Sequence, residues 1–61
     1  MVKVTVVHGT VVEITNTGSV LVESDDSLTQ HVMITSDFPT MPRLYQRVTL
    51  ETCFGHTKVA A

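Results

Sequence analysis

Tryptophan is absent from this 61-residue chain, and Phe38, Tyr45 and Phe54 are all the aromatic surface it carries. A face that stacks on nucleic-acid bases needs several outward rings, so the sequence has little to build one from. Cysteine occurs once, at Cys53. That excludes a disulfide within the chain and fits a reducing, cytoplasmic compartment. Cations are few as well: Lys3, Arg43, Arg47 and Lys58 stand against six acids, for a net charge of −2. Binding driven by phosphate contacts normally gathers a basic patch, and these four are scattered. No apolar run approaches the roughly 20 residues that span a bilayer, so no membrane partner is expected. Met1–Thr5 lacks the charged start and unbroken apolar stretch of a signal peptide.

Helical periodicity is also missing, and alternation takes its place. Valine, threonine and isoleucine dominate, with apolar residues recurring at every second position. The first alternating segment runs from Val2 to Thr15, as one long strand or two that meet at His8-Gly9. A bulge at Gly9 would turn Val11 inward instead of Val12. Asn16-Thr17-Gly18 is a turn, after which Ser19–Ser24 places Val20 and Val22 on one face and Leu21 on the other. Asp25-Asp26-Ser27 is a second turn. A third strand, Leu28–Thr35, sets Val32 and Ile34 against His31, Met33 and Thr35. Pro39 and Pro42 make Ser36–Leu44 a loop. Tyr45–Thr52 resumes alternation with Val48 and Leu50 inward, Phe54-Gly55-His56 turns, and Thr57–Ala61 closes. Five strands in a meander with one longer connection after the third are the order of a small five-stranded OB-type barrel, an SH3-like barrel being the alternative. Residues 1–61 form one such domain. Its core is thin, because a chain this short buries only about 60% of its unfolded surface.

Several segments carry a family resemblance. His8-Gly9-Thr10-Val11 enters the first strand as in the cold-shock domain. Thr17-Gly18-Ser19-Val20-Leu21-Val22 lies where that family has K-G-F-G-F-I. Val32-Met33-Ile34-Thr35, or Gln30-His31-Val32-Met33, lies where it has V-F-V-H, and Leu44–Glu51 lies where it has L-x-x-G-Q-x-V-x-F-E. Gly9-Thr10-Val11-Val12-Glu13 and a histidine late in strand three also resemble bacterial initiation factor one. The resemblance implies an OB barrel that binds single-stranded nucleic acid through outward aromatics on strands two and three. Those positions fall on Ser19, Leu21 and either His31 or Met33, with Glu13 where the family has a tryptophan. None matches the family's aromatic, so the stacking surface is not carried over. Each lost platform forfeits about 1–3 kcal/mol per base.

Chemistry at a reactive site has little support. Cys53-x-x-His56, with His8 and His31, offers zinc ligands, but no second paired motif fixes a closed site, and no cofactor is expected. A nucleophilic Cys53 with His31 or His56 needs an electropositive setting that nothing here supplies. The chain is therefore expected to be a non-catalytic binding module that contacts protein, as an adaptor, subunit or inhibitor. Leu21, His31 and Met33 on the outer face, then Phe38 and Tyr45 in the loop, are the candidate contact residues, with self-association as a homo-oligomer through the same face. The alternative is weak single-stranded RNA or DNA binding through His31, Tyr45, Arg47 and Lys58.

Overall fold

The computed structural model describes residues 3–60, so Val2 and Ala61, the expected ends of the first and last strands, lie outside the described residues. The fold is all-β. Strands β1 (Thr5–Ile14), β2 (Ser19–Ser24), β3 (Gln30–Ile34), β4 (Arg47–Cys53) and β5 (His56–Ala60) follow one another along the described residues, with a 3-10 turn at Thr35–Asp37. All pairings are antiparallel and the order across the sheet is β3-β2-β1-β4-β5. The sheet curls into a half-barrel of the OB type, with β3 and β5 as its two edges among the described residues.

Strand β1 is unbroken through His8-Gly9, and every residue from Thr5 to Thr10 has a partner on β4. Of the two readings left open at His8-Gly9 the single long strand holds, and its bulge lies at Val12, where the register with β2 shifts between Val11 and Glu13. Val7, Gly9 and Val11 face inward before it and Ile14 after it, so one extra residue switches the buried parity. Gly9 serves another purpose. A Cβ there would lie 2.6 Å from the Glu23 carbonyl oxygen and 3.0 Å from Val22 Cγ1. Only glycine lets β1 press this closely against β2 while also holding β4.

The concave face of the sheet buries Val11, Val20, Val22, Met33, Val48 and Leu50, with Val7, Ile14 and Val59 at its margin. Phe38, only 8% exposed, completes this core from the loop after β3, and Pro42 of the same loop is also buried. The loop thus supplies a hydrophobic plug. Two aromatic side chains sit on left-handed backbone. Phe54 (φ 51°) and Gly55 (φ 78°) make the two-residue β4–β5 turn, both central residues having the positive φ of a type I′ hairpin. Tyr45 (φ 65°) is the third residue of a turn closed by Gln46 N–H donating to the Arg43 carbonyl. Its N–H donates to Val11 O, and Val11 N–H donates to Gln46 O. Two residues opposite one make a bulge whose left-handed position usually belongs to glycine.

Candidate interaction surface

Strand parity decides which side chains reach a partner. Register places Val20 opposite Met33 and Val22 opposite His31, while Leu21 faces Val32 and Ser19 faces Ile34. Val20 and Val22 are wholly buried, so Met33 and His31 share their inward side. The expected outward placement of these two residues is therefore corrected. Met33 is 5% exposed and belongs to the core. His31 is half-buried, and its Nε2 is shielded without a hydrogen-bond partner. Phe38 is likewise a core residue rather than an accessible contact.

Leu21 does point outward, half-buried, and Tyr45 is exposed. Two residues that the sequence reading left out of the site join Leu21. Val32, 76% exposed, and Ile34 project from the outer face of β3. Two backbone bonds fix how close they come. Ser24 N–H donates to Thr29 O and Thr35 N–H to Gly18 O, both in the register of the β2–β3 ladder. Hydrogen-bonded pairs alternate along an antiparallel ladder. Leu21–Val32 and Ser19–Ile34 are therefore the non-bonded pairs, whose side chains approach most closely. Leu21, Val32 and Ile34 form one apolar patch, with Glu13 opposite Leu21 on β1 and Glu23 opposite Gln30 at its margin.

Away from this patch the outer face carries the exposed Val6 on β1 and a set of polar side chains that pair with one another. Arg47 and Asp25 form a two-pronged ion pair, with Arg47 Nη2 donating to Asp25 Oδ2 at 2.7 Å, and Arg47 Nη1 also reaches Thr10 Oγ1 at 3.2 Å. The guanidinium holds the Asp25 carboxyl below the ordinary aspartate range, and the carboxylate in turn raises Arg47. In the adjoining turn, Asp26 accepts from Ser24 Oγ and from Leu28 N–H, and these bonds hold its carboxyl low too. Lys58 Nζ lies 3.9 Å from Glu51. Of the residues named for nucleic-acid binding, Arg47 and Lys58 thus each face a carboxylate, and His31 is turned inward. Arg43, in the open loop beside Tyr45, has no acidic partner among the described residues.

The possible metal ligands do not converge. His8 Nδ1 lies 3.1 Å from Thr49 Oγ1 on the outer face, and His31 lines the inner one. Cys53 and His56 face each other across the β4–β5 turn, lining a shallow cleft with Val4, Glu51 and Lys58. Among the described residues no three potential ligands are grouped as a metal would need. Nor, among the described residues, is any helix long and apolar enough to cross a membrane. No family model matches this chain, and no curated protein or solved structure is similar enough to match it.

Proposed function

We propose that this chain is a non-catalytic binding module of the OB type that acts through protein–protein contact. The observation that supports it is the patch of Leu21, Val32 and Ile34, three aliphatic side chains gathered on adjacent outer strands. Aliphatic side chains grouped on a surface and edged by acids suit a protein interface better than a phosphate backbone. Pairing of Arg47 and Lys58 with carboxylates weighs in the same direction, since a phosphate would have to displace Asp25 and Glu51. The single thiol fits a cytoplasmic setting.

The test compares the unaltered chain with a Val32→Ser, Ile34→Ser variant as immobilised bait. Both substitutions are on exposed positions, so the fold is retained, which circular dichroism checks. Partner protein held by the first and lost from the second supports the reading; equal retention refutes it. A second reading, weak single-stranded nucleic-acid binding, draws on one feature, the exposed Tyr45 ring near Arg43 in the open loop. It requires oligonucleotide affinity that falls steeply with added salt and is lost on Arg43→Ala.

A further inference from the structure

We infer that the free edge of β3 pairs with β3 of a second copy, in antiparallel register, about a two-fold axis at His31. This rests on the protein-contact reading above and names the first partner as the chain itself.

Three observations single out this edge and this register. First, the alternation that bonds Met33 and His31 to β2 turns the backbone groups of Gln30, Val32 and Ile34 away from the sheet. An edge of this kind is a template for another strand unless something blunts it. Second, one of those groups is already used. Ile34 N–H donates to Asp37 Oδ2 at 3.1 Å, so a carboxylate stands where an incoming carbonyl would bond. A two-fold at Val32 would set Gln30 of the second copy against that blocked position. A two-fold at His31 moves the blocked position to the end of the seam, opposite Leu28, whose own N–H is held by Asp26 Oδ1. Gln30 then meets Val32 of the second copy, and Val32 meets its Gln30. Each pair exchanges both N–H···O bonds, with every group involved open.

Third, the side chains agree with the backbone. Gln30–Ile34 carries no lysine, arginine, aspartate or glutamate, so self-pairing sets no such like charges against each other. The other edge differs: β5 carries Lys58, a common device against edge pairing, which a second copy would bring close to its own twin. In the His31-centred register the exposed Ile34 comes opposite the exposed Leu28 of the second copy. The outer patches of the two copies then merge into one apolar band across the seam.

Sedimentation velocity from micromolar to millimolar concentration, with backbone amide exchange followed by NMR, tests this on the unaltered chain. A monomer–dimer equilibrium is expected, with protection of the Gln30 and Val32 amides rising with concentration. The Ile34 amide, already bonded within the monomer, stays constant. Val32→Pro removes the edge-facing N–H from each copy and weakens the dimer by at least about tenfold. A chain that stays monomeric at millimolar concentration overturns the inference, as does concentration-dependent protection at Thr57 and Val59 on β5. If Val32→Pro fails to fold, the exchange pattern of the unaltered chain decides alone. A monomeric chain whose partner is still lost on Val32→Ser, Ile34→Ser overturns the dimer but not the contact face. A dimer whose partner binding ignores those substitutions does the reverse.

Discussion

Substituting neighbours on β3, Val32→Ser and Met33→Ser, separates the two faces of the sheet by a margin too large to mistake. Val32 is 76% exposed and Met33 5%, although they are adjacent in sequence. Truncating a buried methionine to alanine costs about 2–5 kcal/mol, and serine adds an unpartnered hydroxyl worth about 1–3 kcal/mol. Total stability for a chain of this length is about 3–9 kcal/mol at typical values per residue. Met33→Ser therefore removes most or all of it. Val32→Ser stays near the ±0.5 kcal/mol of ordinary surface changes. At about 4–8 °C per kcal/mol for a domain this small, the first melts at least ~10 °C lower and the second within ~4 °C. Thermal and urea unfolding by circular dichroism, at one low protein concentration, provides the comparison. Equal losses, or a larger loss for Val32→Ser, would mean that β3 is slipped by one residue against β2 and that the outer patch is wrongly composed.

Gly9→Ala drives a methyl group into the Glu23 carbonyl, and should cost about 1–3 kcal/mol by denaturant titration. Phe54→Asn places the preferred residue at the left-handed start of the β4–β5 turn, where the 81% exposed ring gives up little packing. A rise in stability of up to about 1 kcal/mol is expected from a thermal melt. Acid unfolding should follow Asp25 and Asp26, whose carboxyls are held below their ordinary values by Arg47 and by Ser24 with Leu28. A depressed folded-state value means stability that is present above the unfolded value and lost as pH falls through the folded one. Urea midpoints should thus be insensitive to these groups above about pH 5 and fall below about pH 4. Asp25→Asn with Asp26→Asn should flatten that fall, and high salt should blunt the Asp25 part of it.

Much of the fold is legible from alternation and turn chemistry. Ser19–Ser24 forms as read, with Val20 and Val22 inward, and Val48 and Leu50 are inward on β4. The parity of β3 was not legible, because each of its faces offers an apolar residue. Val32 and Ile34 are as hydrophobic as Met33, and only the register against Val20 and Val22 separates them. The bulge was hidden for the same reason: Val11 and Val12 are identical, so neither announces which one is inward. Glycine drew attention to position 9, where its role is close approach to β2 rather than a change of parity. Phe38 reads from the sequence as a contact residue of the loop, and burial makes it a lid instead. Tyr45 occupies a left-handed position that glycine usually marks, so the bulge it makes with Gln46 left no sign in the sequence. The Arg47–Asp25 pair joins residues far apart in the chain, which no local pattern connects.

Among the described residues β1 is the one strand whose sheet pairing joins the β2–β3 hairpin to the β4–β5 hairpin, on either side of the chain's long loop. Both hairpins close locally, whereas the β1–β4 seam joins residues as distant as His8 and Thr49, 41 positions apart. Closing that span exacts its chain entropy before any contact compensates. Folding should therefore assemble the three-strand meander and the terminal hairpin first and mate them last, along the strand that Gly9 allows to serve both. In unfolding the order inverts. The β1–β4 seam is then the zip whose opening splits the sheet into two halves, and its amides should exchange through that first opening, before those within either half.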